Sequence, residues 1–240
     1  MRLLCLPPAG AGASTFYPLM ALDSDDLEVC PIALPGREDR FNEPLPESIT
    51  ALADSLALQL LPLLDRPFAL LGYSMGALLA CELIERWAQH GRGRPVALFA
   101  LAARAPQCSY ADDDPLHELE GDAFRAALKR LGGLPDELLE HPEVMDLYEP
   151  ILRADLRNCA MHPRRDQKID SPVHVFLGRD DVLVSREEAD AWRQLTNGAF
   201  SLELLDARHI LTGDQLLATG NRIRALLSSG VDGAARTAGS

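Results

Sequence analysis

Continuous apolar runs of strand length alternate along this chain with stretches of helical spacing, and no other feature restricts the fold so much. The runs are RLLCLP from residue 2, LEVCPIALP from 27, PFALLGY from 67, VALFALAA from 96, VHVFLG from 173 and FSLELLD from 200. Between and after them lie ESITALADSLALQLLPLL, MGALLACELIERWAQH, REEADAWRQL and GDQLLATGNRIRALLSS, whose apolar residues recur three and four apart. A strand that is apolar on both sides needs cover on both faces, and a helix between successive strands returns the chain to the same edge, so the strands run parallel. The expected class is α/β, a mainly parallel sheet with helices on both faces.

The alternation breaks once, from about Pro106 to Arg165, where HELEGDAFRAALKRLGG and PDELLEHPEVMDLYEPILRADLRNCA are helical in pattern and no strand is evident. An insertion between two sheet strands sits where their carboxyl ends open, so 106–165 reads as a helical lid, with a plain helical subdomain as the alternative. Residues 1–228 then form one domain, and the small, polar residues 229–240 are expected to be a disordered tail.

A formal net charge of -13 argues against nucleic acid or an anionic membrane surface as the main partner, so an acidic partner would need a local basic patch. Cys5, Cys30, Cys81, Cys108 and Cys159 are odd in number and scattered, without CxxC or metal-ligand spacing. Most sit in apolar runs and read as small buried hydrophobes in a reducing cytosol. The apolar start of MRLLCLPPAG is too short for a signal peptide and no stretch reaches membrane-spanning length, so the expectation is a soluble cytoplasmic protein.

Within this frame LLGYSMGALL, residues 70–79, puts Ser74 between Gly72 and Gly76 at a strand-to-helix junction. That is the place of a nucleophile elbow, a turn so sharp that its two glycines let strand and helix approach; a glycine-rich turn with a surface serine is the plainer reading. A serine hydroxyl needs a base and the base an orienting acid, in the chain order Ser, Asp or Glu, His. Of the six histidines only His209, in LLDARHILTG, follows a strand and precedes the last helix. Asp180 and Asp181 follow the next-to-last strand; Asp181, three residues after Gly178, is the preferred orienter, and the pair could also be an acidic helix start. Backbone amides for an oxyanion are expected at Met75, after the nucleophile, and at Ala9, in the small-residue loop PPAGAGAS after the first strand.

These residues resemble the stand-alone type II thioesterases that accompany nonribosomal peptide and polyketide synthases, a branch of the α/β-hydrolase fold. The likeness runs through LCLPPAGAGAS, ALPGREDRFNEP at 33–44, DRPFALLGYSMGALLACEL at 65–83, LGGLPDELL, LYEPILRADLR, SPVHVFLGRDDVLV and the histidine segment. It implies hydrolysis of acyl groups, stalled or mis-primed ones included, from the phosphopantetheine arm of acyl or peptidyl carrier domains. It also implies Ser74, Asp181 and His209 as a triad and the amides of Ala9 and Met75 as the oxyanion hole; such a reaction requires no metal or other cofactor, and a monomer is expected. The family commonly has histidine where this chain has Pro8 and Tyr73, and Gly-Gly-His-Phe where it has Ala207, Arg208, His209 and Ile210. Arg208 puts a cation beside the base, which would disfavour the imidazolium unless it points away.

Arg125, Lys129 and Arg130 offer a basic patch to an acidic carrier, or a solvated helix face; Arg37 and Arg40 could serve the same partner or brace their loop. Two other functions fit the residues: a carboxylesterase or lipase acting on small esters, and a non-catalytic binding protein on the same fold.

Overall fold

Each apolar run contributes a strand: β1 Arg2–Leu6, β2 Glu28–Pro31, β3 Phe68–Tyr73, β4 Leu98–Leu101, β5 Val173–Gly178 and β6 Phe200–Leu205. The computed structural model describes residues 1–108, 116–131 and 141–237. The strands form one sheet in the order β2-β1-β3-β4-β5-β6, and every pairing is parallel. Among the described residues the α-helices are α1 Ile49–Gln59, α2 Met75–Gln89, α3 Gly121–Leu131, α4 Pro142–Ala160, α5 Arg186–Asp190 and α6 Gly213–Thr237. A ten-residue 3-10 segment, Ala13–Leu22, follows β1 and has Pro18 inside it.

The two faces of the sheet bury separate cores, which is why the strands are apolar on both sides. Leu4, Leu6, Phe68, Leu70, Leu98 and Ala100 point into a layer with α1 and α2. Their neighbours Leu3, Cys5, Ala69, Leu71, Phe99 and Leu101 point into a second layer with Phe16, Leu19 and Ile223 of the 3-10 segment and α6. Trp87 of α2 packs edge-on against Phe68 and donates its indole N–H to the carbonyl of Ala57, tying α2 to α1. β4 is shorter than the run VALFALAA because Ala102 turns to φ 47°, while its N–H still bonds the carbonyl of Phe176.

The strand-to-helix turn after β3 leaves no room for side chains. A methyl group on Gly76 would sit 2.1 Å from the carbonyl oxygen of Leu6, and one on Gly72 2.4 Å from Cα of Ala77. Both obstacles are backbone and cannot rotate aside. Gly76→Ala is therefore expected to cost about 3 kcal/mol, the upper end of overpacking penalties, read as a lowered denaturant midpoint at unchanged slope.

Among the described residues of the insertion there are helices and no strand. Phe124 and Leu128 of α3 pack with Met145 and Leu152 of α4 as a small core of their own, against which Ala9, from the loop after β1, also packs. The far end of α4 is bolted to the body. The Asn158 amide donates to the carbonyl of Pro46 at 2.9 Å, and Arg165 pairs with buried Glu82 at 2.8 Å and with Glu85 at 2.9 Å. Pro150, which lacks the N–H that would bond back to Asp146, separates this fixed half from the first turns of the helix.

α6 runs on to Thr237, past residue 228 where the sequence reading ends the domain; Ala234 and Ala235, strong helix formers, lie in that extension. Most of the LGGLPDELL motif and the side chain of Arg130 lie outside the described residues. No helix among the described residues is long and apolar enough to cross a membrane.

Candidate active site

The three side chains that sequence order selects come together at the carboxyl edge of the sheet, from the turns after β3, β5 and β6. Ser74 takes φ 50° and ψ -113°, a conformation that non-glycine residues avoid and that only the surrounding turn can enforce. Its N–H bonds the carbonyl of Leu101 at 2.8 Å and its own carbonyl accepts from Ala77 at 2.9 Å, which fixes the elbow from both sides. Ser74 Oγ lies 3.1 Å from Nε2 of His209, and His209 Nδ1 lies 2.8 Å from Oδ2 of Asp181.

Asp181 has a fully buried side chain whose other oxygen accepts the backbone N–H groups of Leu183 and Val184 at 2.9 and 3.0 Å. An ionised carboxylate can only accept, so Nδ1 of His209 carries the proton and Nε2 is left to accept from the serine hydroxyl. Asp180 is exposed and outside this chain of bonds, and so is Arg208, which stands in solvent while its neighbour His209 is buried.

Met75 is the first residue of α2, so its N–H has no intrahelical acceptor and points out of the helix start. The loop bearing Ala9 begins beside it, since Gly76 abuts the carbonyls of Leu6 and Pro7. That loop is gripped from three directions. Gly10, at φ +75°, donates its N–H to Oδ2 of Asp155 in α4 at 2.8 Å. Arg37 pairs with Asp155 through both terminal nitrogens, at 2.6 and 3.1 Å, and donates to the carbonyl of Ala11 at 3.1 Å. The Glu38 carboxylate accepts the N–H groups of Ala13 and Ser14 at 2.7 and 3.0 Å and the Ser14 hydroxyl. Burial pushes its pKa up, but these bonds, with the Ser14 hydroxyl first, outweigh that and hold the carboxyl below its usual value. Arg40 pairs with Glu43 and donates to the carbonyl of Ala33, so both arginines of ALPGREDR brace loops.

Tyr73, noted in the sequence only as a departure, anchors the histidine loop. Its hydroxyl donates to the carbonyl of His209 at 2.7 Å and accepts from the N–H of Leu211 at 2.8 Å, and burial raises its pKa far above the usual tyrosine range. Tyr73→Phe leaves both groups without a partner. The expected cost is about 1–3 kcal/mol in a denaturant melt, with kcat lowered because the His209 main chain is no longer held.

Asp155 also escaped the sequence reading, although a signal existed. It lies three residues after Leu152 and four before Cys159, both buried, so a carboxylate occupies the apolar stripe of its helix and must find a partner there.

The sequence and the fold both have known relatives. The model of the thioesterase domain family matches residues 1–227. The gramicidin S biosynthesis protein GrsT of Aneurinibacillus migulanus is 36% identical over 210 residues, 87% of this chain and 82% of that one. The structure of RedJ, a thioesterase from the prodiginine biosynthetic pathway in Streptomyces coelicolor, superposes with a TM-score of 0.84 at 34% identity, covering 92% of this chain and 89% of its own. YbtT, a type II thioesterase from the yersiniabactin pathway, gives 0.83 at 28% identity, covering 95% and 93%. On this agreement of sequence and architecture, the chain belongs to the thioesterase domain family.

Proposed function

We propose that this thioesterase removes acyl groups, mis-primed or stalled ones included, from the phosphopantetheine arm of acyl or peptidyl carrier domains in nonribosomal peptide and polyketide synthesis. The observation that carries the reading is the Ser74, His209, Asp181 chain of hydrogen bonds at an elbow in a thioesterase-family chain.

Ser74 Oγ attacks the thioester carbon as His209 Nε2 takes the hydroxyl proton, and the carbonyl electrons move to an oxyanion facing the amides of Met75 and Ala9. Asp181 holds the imidazole and stabilises its charged form. Collapse of the oxyanion expels the pantetheine sulfur, which takes the proton from His209 and leaves as a thiol. Water, deprotonated by His209, then attacks the acyl-serine, and a second collapse returns the serine and frees the acid. A thiolate needs little protonation to leave, so the site requires no metal, and the only pantetheine is the substrate's own. The free cysteines suit a reducing cytoplasm, in which the chain works as a monomer.

The carrier domain docks at the insertion, where Lys129 of α3 is exposed and Arg125 half-buried. The test is mass spectrometry of a phosphopantetheinylated carrier loaded in turn with acetyl, longer acyl and aminoacyl groups. Loss of the acyl mass on adding the protein is the expected result. Survival of every load while a free aryl ester is cleaved would replace the reading with an esterase; inertness toward both would leave a binding protein.

A further inference from the structure

Arg37 and Asp155 lie 118 residues apart, on the loop after β2 and on α4, with side chains 3% and 2% exposed. Two buried charges are costly even when paired, and an apolar pair of similar volume would hold the same elements together as well or better. The pair must therefore be judged by what else it touches. The Asp155 carboxylate takes the N–H of Gly10, and the Arg37 guanidinium takes the carbonyl of Ala11. The Ala9 N–H shares its peptide plane with the Pro8 carbonyl, which accepts the N–H of Ala11 at 3.1 Å, so the bonds from Asp155 to Gly10 and from Arg37 to Ala11 hold the turn that sets the direction of the Ala9 N–H. The turn is tight as well: Gly10 has a left-handed φ that glycine accepts, and a methyl group there would meet the Tyr148 hydroxyl of α4 at 2.5 Å.

We infer that Arg37 and Asp155 are positioning residues that aim the Ala9 amide at the developing oxyanion, so that the hole is complete only while the fixed half of α4 is seated on the loop after β1. The inference rests on the proposed acyl-serine reaction. It gives α4 a part in the reaction, since this helix of the insertion holds one of the two oxyanion donors in register.

The test compares Asp155→Asn with the double variant Arg37→Met/Asp155→Leu, which removes both charges and fills the space with apolar side chains. Two substrate analogues are titrated: an acyl-chain trifluoromethyl ketone, which Ser74 converts to a hemiketal oxyanion, and the matching acyl-pantetheine amide, which mimics the ground state. Folded protein is verified by circular dichroism. The expected result is a fall of about 10²-fold in kcat and in ketone affinity together, the scale of one lost oxyanion donor, with amide affinity and KM unchanged. A folded double variant with wild-type kcat would overturn the inference, as would equal losses for both analogues. Failure of both variants to fold would make the pair a folding element and overturn it too. Failure of the reaction itself would show separately, as turnover retained by Ser74→Ala.

Discussion

Ser74→Ala is expected to lower kcat on an acyl-carrier substrate by about 10⁵–10⁶-fold while leaving the fold intact, because the hydroxyl is the only group removed and the reaction has no second nucleophile in hand. The loss is measured as acyl mass retained on the carrier over hours at high enzyme concentration. Turnover within tenfold of wild type would remove Ser74 from the mechanism. The same position reports on strain. Alanine keeps the unfavourable φ of 50°, whereas glycine accepts it. Strain of about 1–3 kcal/mol exceeds the roughly 0.5–1 kcal/mol of extra backbone entropy that glycine loses, so Ser74→Gly should melt above Ser74→Ala. The reverse order would mean that the elbow is unstrained. Strain held at the nucleophile keeps Oγ clear of its own helix and within reach of His209.

The parts of this arrangement that could be read from the sequence are those in which one local rule determines one position. Apolar runs on both sides of a strand specify a doubly covered parallel sheet, and the sheet has the predicted parallel pairing throughout. A serine at the turn, an acid after β5 and a histidine after β6 follow the order of the strands, and Asp181 rather than Asp180 meets His209. The choice between the two carboxylates is made by the turn, where the amides of Leu183 and Val184 fix the orientation of Asp181, whereas Asp180 faces solvent.

The contacts that could not be read join segments far apart in the chain and depend on side-chain direction. Arg37 could be named as a possible loop brace, but its partner is in α4, and no local pattern relates the two. Tyr73 looks like one more residue of a buried strand, since nothing in FALLGY shows that its hydroxyl reaches residues 209 and 211. In the 3-10 segment Ala13–Leu22 the buried residues recur every three positions, the period of neither a strand nor an α-helix, and Pro18 within it discourages a helix assignment. It forms because Phe16, Leu19 and Leu22 bury against the second core layer, a tertiary cause.

The next largest effect belongs to Asp181→Asn, which changes a charge and almost no shape. The asparagine carbonyl should take over the two amides of Leu183 and Val184, since a buried N–H without an acceptor costs about 1–3 kcal/mol. Its NH₂ group then faces Nδ1 of His209, which must give up its proton and accept. The proton moves to Nε2, and the nitrogen that should take the serine proton becomes a donor toward Oγ. Geometry is kept and function is lost, with kcat expected to fall by about 10⁴-fold, the order seen for the same exchange in a serine-protease triad. KM should hold, because the bound acyl thioester never touches the carboxylate. Nitrogen-15 NMR of the imidazole gives the direct readout: Nδ1 protonated in the wild type, Nε2 in the variant. Asp180→Asn, altering an exposed carboxylate outside the bonded chain, should leave both rate and tautomer unchanged. If Asp181→Asn keeps a tenth or more of the wild-type rate with its tautomer reversed, then the imidazole is not the base. If Asp180→Asn were the damaging exchange, the orienting acid would be the exposed neighbour, and the 2.8 Å bond from His209 to Asp181 would be structural only.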